Sequence, residues 1–239
     1  MKQHDISSGL PSGFAAGGTY CGVCRSRVKL DLALLTSTTD CAIVMDTPQQ
    51  RTAQHGKAVL LHHGVALPEG VRGAEITTEI CDAAAYHLQC QRTDVQFIAC
   101  GMGGQFFRPS LVVQSLQNLL AVCHTDQCEA VGKVIDTLGD VTYSTASFDN
   151  GKATMCAMAA DGTRQQPGIC VMTTDSDVTT AQVERALSQC KQVFGLEGYV
   201  IVVMANGASG TAFSDAALTE GMAHVLEDAG FQKALQHVI

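Results

Sequence analysis

The chain has 239 residues, enough to bury a substantial core without help, and its formal net charge of −8, with only 15 lysines and arginines spread along it, excludes a nucleic-acid binder. Charged residues make up only 16% of the chain while alanine, glycine, valine, threonine and cysteine abound, the profile of a tightly packed α/β protein with sheets covered on both faces. No run approaches the roughly 20 apolar residues that a bilayer span demands, so no membrane association is expected.

Residues 1–11 are polar and carry no apolar run of a signal peptide. A cytoplasmic protein is therefore expected, and its eleven cysteines, an odd number, are read as free thiols packing as small hydrophobes. Residues 1–13 read as a flexible arm, and Gly13-Phe14-Ala15-Ala16-Gly17-Gly18 as too glycine-rich for regular structure, with a single domain over 14–239. Cys21-Gly22-Val23-Cys24 would be a strong zinc signal beside a second thiol pair. The later Cys123, His124 and Cys128 have the wrong spacing, so neither metal nor cofactor is expected.

Strands are predicted over 29–35 and 41–45 with the polar residues 36–40 as their turn, and over 57–61 after a polar loop at 47–56. His62-His63-Gly64 closes this third strand at its carboxyl end, where α/β sheets place ligand groups. Adjacent strand residues point to opposite faces, so the two histidines are not expected to serve one site. Apolar residues at helical spacing predict a helix over 75–90, and 95–99 reads as a buried strand running into Cys100-Gly101-Met102-Gly103-Gly104. Bare amides at that strand end could face a developing oxyanion, although a tight turn has the same composition. Two helical patterns follow at 111–123 and 126–138, then a Thr/Ser-rich strand at 141–148.

From 150 to 177 the sequence reads as strand, polar turn, strand. Alternating Ala153, Met155 and Ala157 form the first strand, Asp161-Gly162 is the strongest turn signal, and Pro167 removes a donor just before the apolar run 169–172. A helix is predicted over 178–194 with Gly195 as its stop, then the most apolar strand at 199–204, the small-residue loop 205–211, and a final helix to Ala229. No GxGxxG, GxxxxGK[ST] or HExxH occurs, which sets aside the common nucleotide and metalloprotease motifs.

Taken in order, five of these segments resemble the ornithine acetyltransferase (ArgJ-like) family, whose members move an acetyl group from N-acetylornithine to glutamate in arginine biosynthesis. They are Gly13-Phe14-Ala15-Ala16-Gly17 with 29–35, residues 58–64 with 73–85, residues 99–104, residues 168–175 and the loop 205–211. The resemblance implies a DmpA/ArgJ-like sandwich with mixed β-sheets between helical layers. It also implies an oxyanion hole at Cys100 and Gly101, where the family has a Thr-Gly pair, and an amino-acid or acyl-amino-acid ligand. Members of the family cut themselves before a threonine that becomes the amino-terminal nucleophile. Counting back from Thr173-Thr174-Asp175 puts Pro167 at that position. Proline offers neither hydroxyl nor primary amine, so acyl transfer cannot begin there. The family's upstream lysine has no counterpart either, Arg164 being the one cation between Cys156 and Gln166.

Replacement nucleophiles are hard to find. Cys170 lies three residues beyond Pro167 and so on the opposite face, and Ser209 and Thr211 have no evident base, while Asp175 and His63 are distant in sequence. The family's carboxyl-terminal part is absent from these 239 residues. The sequence therefore suggests an ornithine acetyltransferase-like protein without its nucleophile, acting as a ligand-binding or assembly protein in a homo-oligomer or a hetero-oligomer with a related chain. The alternative is an N-acyltransferase or amidohydrolase-like enzyme whose site another chain completes.

Overall fold

Glycine-rich, alternating and helical-period segments succeed one another in an order that builds one mixed sheet. The computed structural model describes residues 9–24, 30–103, 106–136, 141–164 and 166–232. Their elements are β1 (Phe14–Thr19), β2 (Leu32–Asp46), β3 (Arg51–Val65), α1 (Val71–Leu88), β4 (Val95–Met102), α2 (Pro109–Ala121), α3 (Cys128–Ile135), β5 (Val141–Phe148), β6 (Ala153–Ala160), β7 (Gly168–Thr174), α4 (Thr180–Phe194), β8 (Tyr199–Ala205) and α5 (Asp215–Asp228). The sheet order is β4-β3-β2-β8-β7-β6-β5, with β1 joined to β2 beside this path. The β3–β4 and β7–β8 pairs are parallel and the others antiparallel. This is the mixed α/β architecture expected from the sequence.

Period-two alternation sends side chains to two faces with different cover. Ala33, Leu35, Val59, Leu61 and Ile98 of one half of the sheet share a cluster with Met158, Val171 and Val202 of the other half. The only helix in that cluster is the short α3, which touches strands of both halves. The two halves therefore close on each other over α3. On the outer faces, α1 and α2 cover Leu32, Leu34, Leu60 and Phe97, while α4 and α5 cover Ala42, Val44, Met172 and Val203. Each fully buried aliphatic side chain contributes about 1.5–3 kcal/mol, so this patterning is the main source of stability. The helix ends follow their signals. Thr179 accepts from the Gln182 amide while the Gln182 side chain answers it, and Gly195 closes α4 in the left-handed conformation.

Three expectations are corrected. Residues 36–40 are not a turn between strands, because β2 runs unbroken for 15 residues with a bulge between Thr36 and Cys41. There β2 leaves β1 and joins β8, and its polar groups bond across the gap: the Thr38 amide to Gly13 and the Thr39 hydroxyl to the Asn206 carbonyl at 3.0 Å. Residues 51–56, read as loop, are the first part of β3. The glycine-rich 14–19 is strand β1, and its glycines let neighbours approach: a Cβ on Gly17 would lie 3.0 Å from the Cys123 backbone and one on Gly18 3.0 Å from the Ala130 carbonyl.

Of the expected arm, residues 1–8 lie outside the described residues, and 9–13 are tied down. The Ser12 amide donates to Asp175 Oδ2 at 3.1 Å and its carbonyl accepts from Asn206 Nδ2 at 2.9 Å. Asp175 Oδ1 also accepts from the Thr154 amide at 2.7 Å. Asp175→Ala strips both amides of their acceptor in a buried setting and is expected to lower unfolding free energy by about 2–4 kcal/mol in urea titration, with Asp175→Asn losing less.

Candidate functional site

Two sequence positions define where chemistry was expected, the amino-terminal end of β7 and the carboxyl-terminal end of β4. Pro167 immediately precedes β7 and lines an open cavity of about 630 Å³ with Asp161, Arg164, Gln166, Gly168 and Tyr199. The Tyr199 ring lies across Gly168, where any side chain would collide with it. Its hydroxyl donates to Asp161 Oδ1, so the connection between β6 and β7 is held over the strand end. Burial, together with this bond to Asp161, raises the Tyr199 pKa. Asp161, Arg164 and Tyr199 are the ionisable groups lining this cavity among the described residues.

Cys100 and Gly101 belong to β4. The Cys100 side chain is 4% exposed and packs in the cluster between the sheet halves, where burial pushes its thiol up to about 12. A protonated sulfur in that position is a weak donor. Gly101 pairs with Gly64 across the parallel β3–β4 ladder, both with positive φ, +146° and +117°. A Cβ on Gly101 would overlap the Gly64 carbonyl group, so this pair sets the strand spacing. Gly101 borders a cavity of about 1170 Å³ with Ile98, Ala66, Gly70, Thr77 and Phe106. No residue lines both this cavity and the one at Pro167.

The remaining candidates are engaged elsewhere. Cys170 faces α4 and α5, away from the interlayer cluster that holds Ile169 and Val171, and burial pushes its thiol up to about 12. The Ser209 hydroxyl donates to the Asp175 carbonyl at 2.8 Å and accepts from the Thr211 amide at 3.2 Å. The two histidines point to opposite faces as their spacing demands. His63 Nδ1 donates to the Val134 carbonyl at the end of α3, 3.1 Å away, whereas His62 stands edge-on to Phe107 on the outer face. Burial lowers the pKa of both.

A constellation that thiol-pair spacing does not reveal lies beside His62. The ligand atoms of Cys21, Asp31 and His62 lie within 4.8 Å of one another, all three residues buried. Asp31 Oδ1 accepts from the Cys21 amide at 2.6 Å, and Oδ2 from the amides of Gly22 and Cys24, each at 3.2 Å. These are the described residues best suited to hold a metal. The available signals were an acid flanked by leucines, Leu30-Asp31-Leu32, and a histidine in an apolar strand.

No family model and no curated protein sequence matches the chain. Solved structures do. A β-aminopeptidase from a Burkholderia species superposes with a TM-score of 0.57 at 11% identity, over 96% of this chain and 90% of its own. The PH0078 protein from Pyrococcus horikoshii gives 0.56 at 10% identity, with the same coverages of 96% and 90%. An ornithine acetyltransferase complexed with ornithine from Mycobacterium tuberculosis gives 0.50 at 19% identity, over 69% of this chain and 91% of that one. The chain thus has the α/β fold of the DmpA/ArgJ-like type.

None of the eleven cysteines is in a disulfide, and nine of them are buried. Cys90 and Cys123 are partly accessible, and burial raises both pKa values, so less thiolate forms at neutral pH and reactivity climbs only as pH rises. Iodoacetamide is expected to label these two in the native chain, faster at alkaline pH, and the other nine only after denaturation, as peptide mass mapping will show. Gly101→Ala should cost about 3 kcal/mol and reduce the soluble fraction, because the new Cβ overlaps backbone and the φ is unfavourable.

Proposed function

We propose that this chain is an ornithine acetyltransferase-like protein that has lost the self-processing nucleophile and serves as a ligand-binding or assembly protein for amino acids or acyl-amino acids, in a homo- or hetero-oligomer. The observation that carries the reading is Pro167. It stands at the start of β7, the strand that the sequence resemblance aligns with the nucleophile strand, and its ring nitrogen can neither be freed as a primary amine nor carry an attacking hydroxyl. Two features support it. The cavity at Pro167 offers Asp161, Arg164 and Tyr199 as its ionisable groups among the described residues, and Tyr199 is already committed to Asp161. The Cys100 thiol, in the place of the family's threonine donor, is turned into the interlayer core, which leaves the Gly101 amide as the group to meet a ligand carbonyl.

Intact-mass spectrometry after incubation with N-acetylornithine or an acetyl thioester tests this directly. The expected spectrum is a single unmodified species of 25.1 kDa. Fragments meeting at residue 167, a covalent acetyl adduct or turnover of the acetyl donor would instead support the enzyme reading, with a site completed by another chain. Retained binding should appear as a thermal shift. A ligand at a hundredfold excess over its Kd stabilises by about 2.7 kcal/mol, roughly 5–10 °C for a chain of this length.

A further inference from the structure

We propose that Cys21, Asp31 and His62 form a site for a zinc-class divalent ion that clamps the Cys21-Gly22-Val23-Cys24 turn to β2 and β3. His62 supplies the first reason. It is fully buried, and neither Nδ1 nor Nε2 has a hydrogen-bond partner of good geometry among the described residues. A neutral imidazole so placed leaves one N–H and one lone pair unmet, at about 1–3 kcal/mol each, and buried orphans of this kind call for an explanation. A cation beside the ring takes up the lone pair and turns a liability into a bond.

The neighbours are built for the same task. Cys21 offers sulfur and Asp31 oxygen, so with His62 three donors of different type converge from a turn, the start of β2 and the end of β3. The three backbone amides on the Asp31 carboxylate fix its orientation, and Oδ1, with a single amide donor among the described residues, has a lone pair for an ion. Cys24 is buried in the same turn, its sulfur against Gly64, two residues along β3 from His62.

Charge and size also agree. A thiolate, a carboxylate and a neutral imidazole sum to −2, which a divalent ion cancels. Binding breaks the Cys21 S–H bond, forms the sulfur–metal bond and releases one proton to solvent. Sulfur and imidazole select zinc-class ions over magnesium or calcium. Tetrahedral ligand atoms around zinc are roughly 3.4–3.8 Å apart, so donors within 4.8 Å need close by only about an ångström.

The test uses the full chain, stripped with chelator and reloaded with zinc or cobalt. We expect one zinc per chain by elemental analysis, a rise in melting temperature on loading, and thiolate-to-cobalt charge transfer with tetrahedral d–d bands. Cys21→Ser combined with His62→Ala should abolish all three, whereas Cys190→Ser, remote from the cluster, should retain them. A wild-type chain without stoichiometric metal overturns the proposal, as does a double variant that binds as before. Should the double variant fail to fold, X-ray absorption of the zinc-loaded wild type decides. A first shell with sulfur and imidazole supports the site, and a shell without sulfur overturns it.

Discussion

The structure depends on β2 exchanging one neighbour for another in mid-strand. Through Thr36 its backbone pairs with β1 on one side and β3 on the other, and from Ala42 with β8 and β3. A buried strand must satisfy every amide and carbonyl, so the change of partner needs a segment that can hydrogen-bond irregularly. Ser37, Thr38, Thr39 and Asp40 are that segment. The bulge they form lets one strand lie beneath α1 and α2 at its start and beneath α4 and α5 at its end. From this single bend follow the two closing halves of the sheet, the enclosed α3 and the separation of the two outer cores.

The same bend explains what the sequence disclosed and what it hid. Elements whose signals are local were legible. Helix α4 shows its apolar stripe, its Thr179 cap and its Gly195 stop, and β6 shows its alternation of small apolar residues. The polar run 37–40 imitates a turn because hydrogen-bonding residues suit both a turn and a strand that changes partner. Glycines 17 and 18 imitate a loop because their purpose is set by α2 and α3, more than a hundred residues away. Such constraints are tertiary, and composition within a window cannot report them.

At the candidate site the sequence was informative about identity and silent about geometry. It placed Pro167 at the head of a strand and Cys100-Gly101 at the tail of another, and both placements stand in the structure. It could not show that Tyr199 bridges to Asp161 over the first position, nor that the Cys100 thiol points between the sheet halves. The metal-type cluster was obscured for a related reason. Searching for a second thiol pair presumes that ligands repeat in type, whereas here a turn, an acid at a strand start and a histidine at a strand end converge only through the β2–β3 pairing of Leu32 with His62.

The two ends of β7 carry opposite burdens. At its carboxyl end, Thr174 and Asp175 gather Thr154, Ser12, Ser176 and Ser209 into one hydrogen-bonded knot that fixes β6, the amino-terminal segment and the loop after β8. Asp175 and Thr174 are its centre, and losing the Asp175 carboxylate strands the Thr154 and Ser12 amides. At its amino end, Pro167 and Gly168 make no side-chain hydrogen bond, and the Tyr199 ring simply covers them. Side-chain hydrogen bonding is therefore concentrated at the end away from position 167. Position 167 therefore takes proline at little cost to the polar network, while Thr174 and Asp175 are used by the fold itself.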